Sequence, residues 1–303
     1  MKTTVLHSWH ETAGARFAPF AGFDMPIQYP TGAIEEHRLT RRSVGLFDID
    51  HMGQVMIWGP GAGEALSRLV SNRILDMKPG EARYALLLNE AGGVIDDLFI
   101  YRLTPSPTMI DPWFVVVNAG NRETDVTYFR NNLKAPVQLQ DISDETYMIA
   151  VQGPQAVPLI DRVTGGALSV TNRFTMTEAY IDGIPCRIGR TGYTGEDGAE
   201  LFYPAEKALH IWEYLLATAK QLGIEAGPIG LAARDSLRFE AGMPLHGHEI
   251  SPTITPLEAL LSWACDFEKD FVGKSALLAL KAQGLSRKLV TINVSGGVPR
   301  EGY

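Results

Sequence analysis

At 303 residues the chain is long for one domain and suits two, and its 45% apolar and 20% charged residues are an ordinary globular composition. A formal net charge of −8 without runs of like charge excludes nucleic acid as a main partner, since phosphate binding needs a basic footprint. There is no apolar signal core in MKTTVLHSWHETAG and no membrane-length apolar run, and Cys186 and Cys265 match no metal or redox spacing; a soluble, cytoplasmic protein with no membrane partner is expected.

Residues 17–30, FAPFAGFDMPIQYP, hold so many aromatics, prolines and glycines that a shaped loop is expected there. Thr31 stands where it could cap the next helix, with Glu35 and Glu36 in the first turns and Arg38, Arg41 and Arg42 toward the end, as the helix dipole favours. GLFDIDHMGQVMIWG alternates apolar and polar side chains and reads as one strand, followed by the short helix AGEALSRLV. ARYALLLN and GVIDDLFIYRL form a hairpin about NEAGG, and WFVVVNAGN is a buried strand ending in a turn. A helix over 124–133, a strand over 146–152 and a helix in PQAVPLIDRVTGG follow. Leu209, Trp212, Leu215, Leu216, Ala219 and Leu222 make one helical stripe that Gly223 ends. LAARDSLRFEAG and KSALLALKAQG are the last helices. Hairpins outnumber strand–helix–strand crossovers, so the expected class is α+β, with mainly antiparallel sheets and packed helices.

The chemistry concentrates in RTGYTGEDGAE, residues 190–200. Three glycines permit positive φ and close approach of a flat ligand. Glu196, Asp197 and Glu200 then stand near the ring of Tyr193, and a carboxylate beside an aromatic face suits a planar ring with two parallel N–H donors. Pterins, guanines and arginine-like groups all present that edge. In Asp96–Asp97, alternation sends one carboxylate to each face of an apolar strand, and such buried acids often mark chemistry. Asp97 shares its face with Ile95, Phe99 and Tyr101 and is taken as the inner acid. Asp48, Asp50 and His51, like His246, His248 and Glu249, lack a full ligand set, so no metal is expected. Arg234–Asp235 and Arg238–Glu240 read as a solvated ion-pair face, with a ligand-contacting arginine as the alternative.

Taken together, FAGFDMPIQY, EEHRLTRRSVGLFDIDHMGQ, LLLNEAGGVIDDLFIYRL, VVVNAGNRETD, QGPQA, RTGYTGEDGAEL, GLAARDSLRFEAGMPLHGHE and ITPLEALLSW resemble, in order and spacing, the aminomethyltransferase family, the T-protein of the glycine cleavage system. The resemblance implies a cloverleaf-like arrangement that binds tetrahydrofolate at its centre. It implies a folate-binding domain from 1–52 and 137–250, an inserted α+β domain over 53–136, and a linker with the start of a truncated C-terminal β-domain over 251–303. By similarity Glu200 grips the pterin's donor edge, Tyr193, Tyr84, Met52 and Asn118 line the cavity, Arg234 contacts the ligand and Asp97 is the catalytic acid. The implied reaction moves a one-carbon unit from the aminomethyl-lipoyl arm of H-protein to tetrahydrofolate and releases ammonia, without metal or nicotinamide. A folate-dependent demethylase of a small methylated compound and a non-catalytic folate binder are the alternatives. The chain departs from the family pattern at Asp50 (usually Ser), at Ala259 and Ser262 (usually Gly), and in stopping at SGGVPREGY, where a further domain normally begins.

Overall fold

The computed structural model describes residues 1–292 and 294–296. Two large sheets organise the chain. The first contains β3 (Val44–Asp48), β9 (Thr146–Gln152), β10 (Met176–Ile181), β11 (Ile184–Gly189), β12 (Gly198–Pro204) and β13 (Ala226–Pro228), in the order β10-β11-β12-β9-β3-β13. The second contains β4 (Gly53–Trp58), β5 (Ala82–Leu88), β6 (Val94–Arg102), β7 (Trp113–Val117) and β8 (Gln138–Asp141), in the order β5-β6-β7-β4-β8. Every pair is antiparallel except β13 with β3, so the class is α+β. Because β8 pairs with β4, the inserted sheet runs on to Asp141, past the boundary at 136 suggested by the sequence.

Each sheet covers its outer face with helices. Helices α5 (Ala156–Thr164) and α6 (Ala208–Gln221) pack Leu159, Ile160, Ile211, Trp212 and Leu215 against the first sheet. Helices α3 (Ala62–Leu69) and α4 (Arg122–Asn132) pack Leu66, Val126 and Phe129 against the second. The inner faces of the two sheets share a third core, in which Phe114 and Phe202 meet edge to face at 5.0 Å. That aromatic contact holds the two sheets in fixed relation beside the site.

Several local expectations change. Residues 17–30 are not a loop but mostly the hairpin β1 (Arg16–Phe20) and β2 (Phe23–Gln28), turning at Ala21 and Gly22, both with positive φ. GLFDIDHMGQVMIWG is not one strand: it breaks at Asp50–Met52, and β3 and β4 enter different sheets. Thr31 caps nothing; Gly32, at φ 82°, precedes α2 (Ala33–Arg42). Glu36, expected to serve the dipole, is 1% exposed and accepts hydrogen bonds from the main-chain N–H of Tyr29 (2.6 Å) and Gly230 (2.7 Å). The buried stripe of α6 is Ala208, Ile211, Trp212, Leu215, Thr218 and Ala219, whereas Leu209 and Leu222 are exposed. The buried face is thus rotated from the apolar pattern, with small Ala208 and Ala219 packed in the first core.

After β13 the chain forms α7 (Leu231–Glu240), crosses the turn end of the β5–β6 hairpin and closes with α8 (Lys274–Gln283). Described residues 285–292 form no strand, and 297–303 of SGGVPREGY lie outside the described residues. The crossing segment is fitted against a glycine: a Cβ on Gly93 would lie 1.9 Å from the carbonyl oxygen of Pro252. Backbone faces backbone there, so Gly93→Ala is expected to cost about 1–3 kcal/mol of stability, read as a lowered denaturation midpoint; an unchanged midpoint would refute this close fit.

Candidate active site

The glycine-rich segment is held from behind before it offers anything to a ligand. Arg190 makes two bonds to Asp197 (3.2 and 2.7 Å) and one to the carbonyl of Thr171 (2.6 Å). Arg41 takes the Thr194 carbonyl (2.6 Å) and Glu196 (3.0 Å). Buried Gln152 accepts from the Thr194 hydroxyl (2.9 Å) and donates to the Thr191 carbonyl (3.1 Å), and a Cβ on Gly192 would strike its amide at 2.0 Å. Of the three carboxylates read near Tyr193, two are therefore committed to arginines. Glu200 alone turns inward, and it sits on β12 rather than in the loop.

Its Oε2 accepts from the Thr191 hydroxyl at 2.6 Å and from the Tyr101 hydroxyl at 3.3 Å. Burial raises the Glu200 carboxyl, while Thr191 and the charge of Arg234 pull it back down. Tyr101 belongs to β6, so this contact joins the two sheets at the site.

Four residues back along the same strand face is Asp97, roughly 13 Å away at the rise of an extended strand. Both acids of the Asp96–Asp97 pair lose water, on opposite faces. Asp97 lies, as taken from the sequence, on the inner side of its sheet with Phe99 and Tyr101 and is partly buried, while Asp96 is 0% exposed and points with Leu98 and Ile100 toward the core beneath α4; Ile95, read on the Asp97 face, packs on that other core. Asp97 accepts from the Asn118 side-chain amide at 2.7 Å. Burial first, then the neighbouring Asp96 charge, push its carboxyl up to about 7. A group so placed can hold or release a proton at neutral pH.

Aromatic rings accompany these acids: Tyr101 bonds Glu200, and Tyr84 pairs with Phe99, two positions from Asp97. Tyr84 stacks on Trp263 at 5.3 Å, and Phe99 stacks on Phe174 at 6.3 Å and lies 5.6 Å from Tyr101. Burial and then the Asp97 charge raise the Tyr84 phenol far above its ordinary value, keeping it a proton donor. Tyr193 gives its hydroxyl hydrogen to the Pro244 carbonyl and its ring to Arg234, whose guanidinium carbon lies 4.9 Å from the ring centroid. Among the described residues Arg234 makes no ion pair, so its charge stays available; burial lowers its pKa and the charges of Tyr193 and Glu200 oppose that. The reading of Arg234 as part of a solvated face fails, and so does that of Arg238, which is 4% exposed and bonded to Asp235, Glu249 and the Met243 carbonyl. Helix α7 owes its placement to Glu36, which fixes Gly230 at its start. Tyr84, Asp97, Tyr193, Glu200 and Arg234 are thus linked by a chain of electrostatic contacts, Asp97 to Tyr84 and Tyr193, and Tyr193 through Arg234 to Glu200. Asn118 joins through Asp97 and Asp96, and Met52 is partly buried against the shared core between the sheets.

A family model described as the GCVT N-terminal domain matches residues 6–269. The aminomethyltransferase of Desulforamulus reducens is 42% identical over 305 residues, covering 100% of this chain and 82% of that protein. This chain belongs to the aminomethyltransferase family. A second relative, the aminomethyltransferase of Halothermothrix orenii, is 41% identical and is covered to 83% of its length. Among solved structures, the glycine cleavage system aminomethyltransferase T from Bartonella henselae matches with a TM-score of 0.86 at 38% identity, over 95% of this chain and 76% of that one. The chain is accordingly an enzyme, an aminomethyltransferase of the glycine cleavage type.

The departures from the family pattern acquire physical content here. Asp50 adds no charge beside Met52. Its Oδ1 accepts from the Met148 main chain at 3.1 Å, and burial together with the Asp48 charge pushes it up to about 9, so it is neutral at pH 7. Asp48 is itself tied to His10 (2.9 Å) and Thr4 (2.6 Å), a structural anchor for the N-terminal helix and not a metal ligand set. Ala259 is 4% exposed and packs with Leu86, Leu88 and Ile250, while Ser262 opens the short turn that presents Trp263 to Tyr84. Sequence reasoning did not single out Tyr101 or Thr191 as site residues, although alternation from Asp97 and position within the glycine-rich motif point to them. Trp263 carried no such signal. No helix among the described residues is long and apolar enough to cross a membrane.

Proposed function

We propose that the groups gathered about Glu200 and Asp97 bind tetrahydrofolate and that the one-carbon donor is an aminomethyl group on the lipoyl arm of H-protein. One observation carries this reading: Tyr101, on the strand face of Asp97, bonds Glu200 of the other sheet, and the two acids act electrostatically on the same pair, Asp97 on Tyr193 and Glu200 on Arg234. Glu200 would accept two parallel N–H groups of the pterin edge, a charge-assisted pairing. Arg234, Tyr193 and Tyr84 would flank the flat ring, with Met52 and Asn118 completing the wall. Asp97 would sit by the nitrogens that receive the carbon.

The reaction then has a simple balance. Folate N5 bonds to the aminomethyl carbon as that carbon's bond to ammonia breaks. N10 closes onto the same carbon as its bond to lipoyl sulfur breaks. The two protons released by N5 and N10 end on ammonia and on sulfur. A carboxylate that titrates near neutrality can carry such protons, and its negative form stabilises positive charge on the reacting carbon. Holding donor and acceptor together lowers the barrier further.

Calorimetric titration of the full chain with tetrahydrofolate tests the reading, together with ammonia release from aminomethylated H-protein. Saturable binding and folate-dependent ammonia are expected. Absence of binding at millimolar folate would overturn the site assignment. Binding without ammonia release would overturn the donor.

A further inference from the structure

Behind Asp97 lies a buried carboxyl that this chemistry leaves unused. Asp125, on α4, is 0% exposed, and neither of its oxygens meets a hydrogen-bond donor among the described residues. Asn121, one helical turn before it, bonds Asp96, which is also 0% exposed, and Asp96 first and Asp97 next are the charges that act on Asp125. Asp96 accepts from the Asn118 main chain (2.9 Å), the Asn118 side chain (3.0 Å) and the Asn121 side chain (2.6 Å). The same Asn118 amide reaches Asp97 at 2.7 Å. The groups facing the cluster are Asp96 and Asp97 from β6, Tyr84 from β5, Asn118 and Asn121 from the turn before α4, and Tyr193 from the glycine-rich segment. Arg122, at the start of α4, is committed to Asp141 and Asp144. Three carboxyl groups therefore gather without a cation among the groups found to act on Asp97 and Asp125.

Two ionised carboxylates are both acceptors and cannot bond each other. One proton turns the contact into a short O–H···O⁻ bond and removes a buried charge. We propose that Asp125 keeps its proton at neutral pH and donates it to Asp96, and that this pair is a positioning element holding the Asn118 amide against Asp97. Burial and the Asp96 charge push Asp125 up to about 10, in agreement. A neutral Asp125 also spares Asp97 a second adjacent anion, so Asp97 can still ionise where protons must move. The positioning role rests on the function proposed above; the protonation of Asp125 does not.

The test is a carbon-13 NMR titration of the aspartate carboxyls in the full chain from pH 5 to 9, with D125N and D97N beside it. A carboxyl signal is expected to stay at its protonated position at pH 8 and to vanish in D125N. The group titrating near 7 should vanish in D97N, and its midpoint should move by less than about half a unit in D125N, because one neutral side chain replaces another. A missing Asp125-dependent signal, or an Asp97 midpoint lowered by about a unit or more in D125N, would overturn the proposal. Turnover supplies the second readout: D125N should stay within about twofold of wild type and D125A should lose about tenfold or more in kcat at unchanged folate KM, the scale of a lost bond to a buried charge. Equal losses in both variants would refute the positioning role. A wild type that releases no ammonia while showing the expected carboxyl signals would instead sink the function proposed above and leave the shared proton standing.

Discussion

Asp97→Asn is expected to lower ammonia release by about 10²–10⁴-fold, the range of a lost general acid–base group, while changing folate affinity only slightly. Asparagine keeps the volume and a contact to Asn118, so the folded site should survive. The wild-type rate should climb between pH 6 and 8 as Asp97 ionises, since burial and Asp96 hold its carboxyl near 7; in the variant that limb should vanish. Stability runs the other way. The folded pKa lies above the unfolded one, so between about pH 4 and 7 the native state binds the extra proton. The stabilisation from this group is full below the unfolded pKa and is lost as pH rises through about 7. Asp97→Asn should therefore melt higher than wild type at pH 8, with the difference shrinking toward pH 4. Undiminished turnover in the variant, or a stability gap that grows in acid, would reject the assignment.

Glu200→Gln should weaken tetrahydrofolate binding by roughly 10- to 100-fold, since a hydrogen bond to a charged group is worth about 1.5–3 kcal/mol. The substitution retains an oxygen for Thr191 and Tyr101, so loss of charge rather than collapse of the wall is what the measurement reads. Calorimetry at pH 7.5 is the direct check, with a melting curve to show the fold intact. Equal affinity in wild type and variant would mean that the pterin edge docks elsewhere. Because Arg234 is electrostatically tied to Glu200, the variant should also leave the guanidinium freer to attract an anionic part of the ligand.

Local pattern served well where one physical signal dominated. The β5–β6 hairpin follows from NEAGG between apolar runs, and α8 ends at Gly284 as read. It misled where neighbours far in sequence decide. The hairpin β1–β2 forms within a stretch that contains Pro19 and Pro26, because each strand of this two-stranded sheet is an edge and can spare a donor on its unpaired side. The run 45–59 reads as one alternating strand, yet its halves pair with β9 and β7 in separate sheets. Glu36 looked like a surface dipole charge and is a buried clamp between Tyr29 and Gly230, 194 positions from one of its partners. The acids of the glycine-rich segment looked equivalent. Only the arginines opposite them, Arg41 and Arg190, separate Glu200 from Glu196 and Asp197.

The sequence by itself determined the class, the family and the chemical palette: alternation and turn residues act over a few positions, and ordered motifs survive in one dimension. That Asp96 is the more deeply buried acid of β6, that Asp50 is neutral, that Trp263 stacks on Tyr84 and that Asp125 is buried without a donor one turn from Asn121 were decided only by tertiary structure. Desolvation and charge–charge coupling depend on distances through space, and those distances do not exist until the two sheets close on one another.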